Sequence, residues 1–289
     1  MADPQHTATA TATAVILTAL PVEYDAVRAH LTDPQERVHV NGTRVEVGRL
    51  DGTAWQVAIA ELGEGPVNMA ALATQIVGWL DPEVLLFVGV AGGLKDDLEI
   101  GDVVVGTKVY AFQNGKQTPE GFHTRPDVWH GSHRLVQTAR SALRELKDVR
   151  GHRKPIAAGD VVLADDRSAL ADFIHRTYND AYAIETEGSG AAHAALVNGS
   201  LDALVIRGIS DHADPGKAAA DASGSQDLAA GQAARVAVAV LRKQQPRGSA
   251  DAKEGPHPHG GAVYGGDHID FRGGVFHGPV TGKRDERRG

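Results

Sequence analysis

Apolar positions along the chain follow two spacings. Short continuous runs at Val15-Ile16-Leu17, Val84 to Val90, Val103 to Val105, Ile156 to Leu163, Ala181 to Ile184 and Leu204 to Ile209 predict strands covered on both faces. Between them the spacing lengthens to a helical one: from about Glu23, over Val67 to Leu80, and near residues 131–147, 168–177, 187–198 and 225–242. Asp81-Pro82 stops the second of these helices, because a residue before proline is pushed out of the helical region. Arg44 to Leu50 and Trp55 to Leu62 read as a hairpin, preceded and separated by Asn41-Gly42 and Asp51-Gly52, which suit tight turns of positive φ. Strands alternating with helices predict an α/β fold on a largely parallel, wrapped sheet with an antiparallel hairpin portion. Ligands of such sheets sit beyond the carboxyl ends of the strands, so residues just after each strand carry the functional expectation.

The two ends of the chain break this pattern. Residues 1–13 are a small, polar Ala/Thr run without periodicity and read as a disordered lead-in, with order beginning at Ala14. Beyond about Gln244 the composition turns to Gly, Pro and charge, so 244–289 reads as a linker and charged tail in which Ile269, Phe271 and Val275 alternate with polar residues. That tail is expected to be disordered or to add a strand to a partner. What remains, 14–243, is one domain, and 42% hydrophobic residues in 289 suffice for its core.

Charge and composition narrow the chemistry. A formal net charge of −8 disfavours a nucleic-acid partner. Without cysteine there is neither a disulfide framework nor a Cys-based zinc site. The histidine pairs His130 and His133, His212 beside Asp214, and His257 with His259 do not place three ligands on one element, so neither metal nor cofactor is expected. No apolar stretch approaches the ~20 residues of a membrane span, and the N-terminus lacks a basic, then apolar, leader. The expectation is a soluble cytoplasmic protein without a membrane partner.

An acid follows each of three strands: Glu23 in LPVEYDAV, Glu187 in IETEG and Asp211 in RGISDHAD. Breaking an N-glycosidic bond needs such a set, since the departing base gathers negative charge, the sugar becomes oxocarbenium-like, and water must be oriented. Each acid also has a plainer reading, because a carboxylate in the first turn of a helix is favoured by the helix dipole alone.

Seven blocks in order, ALPVEYDAV, LGEGPVNMAA, VGVAGGL, IGDVVVG, AGDVVLAD, IETEG and RGISDHAD, resemble the 5′-methylthioadenosine/S-adenosylhomocysteine nucleosidases of the purine nucleoside phosphorylase superfamily, from residue 14 to about 243. The resemblance implies the three-layer nucleoside phosphorylase/nucleosidase fold, with a mixed, wrapped central sheet flanked by helices. It implies Asp211 as the general acid at purine N7, Ser210 as its orienting neighbour, Glu187 on the ribose hydroxyls, Glu23 positioning the attacking water, and Arg207 supporting the set. Thr186, Val162, Leu163 (by its backbone), Ala91 and Gly92 would line the substrate site, the Ala91-Gly92-Gly93 turn allowing close approach of backbone. Glu185 is expected to be structural, with its side chain pointing away. A purine nucleoside or nucleotide is the implied small-molecule partner, and a homo-oligomer, most simply a dimer, the implied assembly.

Phosphorolytic relatives flank the glycine turn with Arg and Ser or Thr, whereas Phe87 and Val90 stand here, which favours water over phosphate. Thr186 replaces the family's Met, Val162 its stacking aromatic, and the loop after Asp211 lacks the aromatic of the 5′ pocket and carries Lys217. With Lys108, Lys116 and Arg125 this suggests a polar or anionic 5′ group. A nucleotide nucleosidase acting as a signalling or defence effector, a purine nucleoside phosphorylase, and a non-catalytic nucleoside-sensing module are the alternatives that the same residues leave open.

Overall fold

The first apolar run forms β1 (Thr13–Thr18), one residue ahead of Ala14, in the computed structural model, which describes residues 12–199 and 201–247. Pro21 opens α1 (Pro21–Arg28), its fixed φ suiting a first helical turn. The chain continues through β2 (Thr32–Val38), β3 (Arg44–Arg49), β4 (Gln56–Glu61) and α2 (Pro66–Leu80), which ends at Asp81 in a left-handed conformation, φ 43°. Next come β5 (Val84–Gly93), β6 (Val103–Ala111), β7 (Gly115–Thr118), β8 (Gly121–Thr124), β9 (Asp127–His130), α3 (His133–Glu145), β10 (Gly151–Ala158) and α4 (Ala169–Thr177). The last elements are β11 (Ala183–Glu185), α5 (Gly188–Val197), β12 (Asp202–Asp211), α6 (Lys217–Ala222) and α7 (Ser225–Lys243).

Ten strands join one mixed sheet in the order β11-β10-β6-β12-β5-β1-β4-β3-β2, with β9 added on β6. β11 also pairs antiparallel with β5, Ala183 opposite Gly93 and Ile184 opposite Gly92, so β5, β12, β6, β10 and β11 close into a ring. The period of two along β1 then dictates the layers. Ala14 and Ile16 pack with Val27 of α1, Leu135 of α3 and Ala237 of α7, whereas Val15 and Leu17 pack with Met69 and Ile76 of α2 and Ala191 of α5. Helices thus cover both faces, and each buried Leu, Ile or Val contributes roughly 1.5–3 kcal/mol through loss of its hydrated surface. α2 and α5 approach closely because residue 190 is glycine: a Cβ there would lie 2.1 Å from the Pro66 carbonyl oxygen.

Several elements differ from the sequence expectation. β2 went unpredicted because TDPQERV is an exposed strand at the end of the sheet order, with no apolar face to advertise it. The β7–β8 hairpin is likewise polar, and α6 lies in what reads as a loop. β10 starts at Gly151 and stops at Ala158, leaving Val162 and Leu163 in a loop and not on the predicted strand. Ala91-Gly92-Gly93 is the extended end of β5, paired on both sides, and not a turn. Past α7 the described chain stays attached: the buried Trp55 Nε1–H donates to the carbonyls of Leu241 (3.0 Å) and Gln244 (2.8 Å), and Arg247 N–H donates to Glu83 at 2.7 Å. The expectations for 1–11 and for His257, His259, Ile269, Phe271 and Val275 lie outside the described residues.

Candidate active site

The carboxyl ends of β1, β5, β11 and β12 meet at a cleft of about 310 Å³, which Glu23, Ala91, Gly92, Val162, Leu163, Thr186, Glu187, Ser210 and Asp211 all help to line. Arg207 alone among the expected site residues is not on its wall. It is fully buried beneath, in the middle of β12, its guanidinium 3.8 Å from the centre of the Phe87 ring. Phe87 therefore supports the site from below and does not line the cleft, while Val90 does.

Three glutamates surround Arg207. Its Nη2 donates to Glu185 and lies 3.8 Å from Glu187 Oε2, and its Nη1 lies 3.8 Å from Glu23 Oε1. Nη1 and Nε have no hydrogen-bond partner although both are buried. Burial tends to lower the arginine's pKa, but Glu185, Glu23 and Glu187 outweigh this and raise it, so the charge is held. The cluster requires a glycine at 89, where a Cβ would stand 2.0 Å from Arg207 Nη1 and 2.3 Å from Glu23 Oε1.

Each acid owes its position to local backbone. Glu23, in the first turn of α1, turns Oε2 back to accept the N–H groups of Ala19 (2.8 Å) and Leu20 (3.0 Å), and Oε1 accepts Val90 N–H at 2.8 Å. Burial raises its pKa above the ordinary 4.5, with Arg207 and these N–H groups opposing. Glu185 was expected to stand apart, yet it lines the cleft and belongs to the arginine cluster, where burial raises its pKa and Arg207 opposes. It also caps α5, accepting the N–H of Glu187 at 3.1 Å and of Gly188 at 2.7 Å. Because Glu185 takes the capping role, Glu187 makes no cap bond of its own and presents its carboxylate to the cleft, held by the Thr186 hydroxyl and by Gly65 N–H at 3.3 Å.

Across the cleft Asp211 is only 3% exposed. Its Oδ1 accepts Ala213 N–H at 2.9 Å, and its Oδ2 accepts the Ser210 hydroxyl at 2.9 Å and the Lys217 ammonium at 2.8 Å. The sequence groups Lys217 with cations for an anionic 5′ group; in the fold it bonds Asp211, a contact with no signal in the spacing. The other basic residues do not join it: Lys108 pairs with Asp180 at 3.0 Å, and neither Lys116 nor Arg125 lines the cleft. Glu64, Asp221 and Gln226 also line the cleft, and no role was expected of them from the sequence. The expected anionic-group cluster is therefore not assembled among the described residues.

The model of the phosphorylase superfamily matches residues 13–242. A 5′-methylthioadenosine/S-adenosylhomocysteine nucleosidase of Chromohalobacter salexigens is 30% identical over 205 residues, 68% of this chain and 83% of that protein. Among solved structures, the S-adenosylhomocysteine nucleosidase of Streptococcus pyogenes in complex with 5-methylthiotubericidin superposes with TM-score 0.72 at 22% identity, covering 83% of this chain and all, 100%, of that one. Futalosine hydrolase of Helicobacter pylori gives TM-score 0.71 at 21% identity, over 81% of this chain and 99% of that one. Among the described residues no helix is long and apolar enough to cross a membrane.

Proposed function

This chain belongs to the phosphorylase superfamily, and from that footing we propose that it hydrolyses the N-glycosidic bond of a purine nucleoside or close derivative, releasing the base. The observation that carries the choice of water over phosphate is the arginine cluster. Glu23, Glu185 and Glu187 surround the one guanidinium, so the floor of the cleft has a surplus of carboxyl groups over cations. That surplus repels inorganic phosphate and favours the positive charge that the sugar develops as the bond breaks.

In this reading a water sits against Glu23 on the cleft wall, and Glu23 accepts its proton as the oxygen attacks the anomeric carbon. Glu187 accepts hydrogen bonds from the ribose hydroxyls. Asp211, oriented by Ser210, hands a proton to purine N7. Ala91 and Gly92 let the ligand approach the strand end, and Val162, Leu163 and Thr186 form the remaining wall. The acting form is a homo-oligomer, for which the exposed apolar residues Val128, Leu196 and Val197 beside a groove at α5 and β9 supply a face; light scattering at micromolar protein tests it.

Cleavage of a purine riboside in ¹⁸O-labelled water tests the chemistry. The label should appear on the anomeric carbon of a product trapped before ring-opening exchange, and millimolar phosphate should not raise the rate. Dependence on phosphate, with ribose 1-phosphate as product, would overturn the hydrolytic reading.

A further inference from the structure

Asp211 poses a chemical problem if it is the acid. All three donors on its carboxylate, Ala213 N–H, Ser210 Oγ–H and Lys217 Nζ–H, stabilise the anion, and one of them is a cation at 2.8 Å. Asp211 thus accepts on both carboxylate oxygens. The Lys217 ammonium is its one titratable hydrogen-bond donor, half-buried on the cleft wall at the start of α6.

Resting on the nucleosidase reading, we propose that Lys217 is the proton source of this site, acting through Asp211 to protonate the departing base. As the C1′–N9 bond breaks, its electron pair stays on the purine. The ammonium proton passes from Lys217 Nζ to Asp211 Oδ2 and on to N7, leaving a neutral amine. Water adds hydroxide to C1′ and releases one proton, which replaces through solvent the one that Lys217 gave up. Base and sugar therefore leave with the elements of one water molecule, and the enzyme returns to its starting charge.

The energetics suit this order. Burial tends to lower the pKa of Lys217, while Asp211 and Asp221, the latter 3.6 Å away and one helical turn on, prevail and raise it. The resting amine is therefore charged and yields its proton only to a strong base. The purine grows basic only as negative charge builds on it during bond breaking; the intact nucleoside does not draw the proton. The relay thus acts when the bond is breaking, and neutral Asp211 need not accumulate.

The test compares Lys217→Met and Lys217→Arg with the parent on adenosine and on 4-nitrophenyl β-D-riboside, whose leaving group departs as a stable anion without a proton. Arginine keeps a cation beside Asp211 but does not release a proton in the working range. Both variants should lose about 10²-fold or more in kcat on adenosine, the scale of general acid catalysis. On the nitrophenyl riboside they should stay within a few-fold of the parent, which also shows that they are folded. Asp211→Asn should give the same pattern. Recovery of adenosine cleavage by Lys217→Arg would reduce Lys217 to a counter-ion and overturn the proposal. So would equal losses on both substrates, or a raised KM with kcat intact. A parent that cleaves neither these two nor a 5′-substituted adenosine would instead sink the nucleosidase reading itself.

Discussion

Glu185 and Glu187 lie two residues apart, and the backbone between them assigns their tasks. Glu185 satisfies the first N–H groups of α5 and the Arg207 guanidinium, which leaves Glu187 facing the cleft. Glu187→Gln should accordingly weaken handling of the sugar: a charge-assisted contact is worth roughly 1.5–3 kcal/mol, so kcat/KM for ribosides should fall further than for 2′-deoxyribosides. Equal losses would remove Glu187 from the sugar. Glu23 yields a pH prediction. Burial raises its pKa in the folded state above 4.5, so its contribution to stability is complete below 4.5 and is lost as pH rises through the folded value. Glu23→Gln has no such loss, and its melting temperature should gain on the parent as pH rises above 4.5, while its turnover is abolished. A constant difference across pH would contradict the buried, proton-binding carboxyl. At this scale Glu23, Glu187, Ser210 and Asp211 were legible because each lies at or beyond the end of an apolar run, and Arg207 because it lies within the same block, whereas Glu185 was misjudged. Gly89 and the Lys217 contact were not, since close approach and pairing across a cleft leave no period in a sequence.

The core strands announce themselves. β1, β5, β6 and β12 are buried along nearly their whole length and read as apolar runs, whereas β2, β7 and β8 are exposed and polar. β10 misled because its first half, GHRK, is polar, while the apolar residues after Ala158 belong to the loop that walls the cleft. Helix α5 depends on two local features, the Glu185 cap and the bare Cα of Gly190 against α2. Gly190→Ala sets a methyl group into the Pro66 carbonyl, a backbone obstacle that no rotamer avoids. It should cost about 1–3 kcal/mol, the usual penalty of overpacking, read as a lower urea midpoint with an unchanged slope. Because α5 carries Glu187 at its N-terminus, activity should fall with it. An unaltered midpoint would show that the two helices can slide apart freely.

For the whole molecule, the expected domain limit near Gln244 becomes a proposal about where the fold can be cut. Gln244 is buried, its carbonyl accepts the Trp55 indole N–H and its side-chain oxygen accepts the Thr138 hydroxyl. Ending the chain after Arg247 should leave melting and activity unchanged, whereas ending it after Lys243 should cost roughly 1–3 kcal/mol for the groups left unpaired. Identical melting of the two truncations would show that Gln244 anchors nothing. The ring of β5, β12, β6, β10 and β11 has a mechanical consequence. It is a hoop, and a hoop carries load around its circumference: moving one stave requires its neighbours to move. Ala91 and Gly92, Glu185 and Asp211 are fixed to those staves, so the gap between the sugar side and the base side resists thermal breathing. Lys217, Asp221 and Gln226 are attached outside the hoop, on α6 and the start of α7. The Lys217–Asp211 contact is therefore a part of the cleft wall whose spacing is set by α6 and not by the staves.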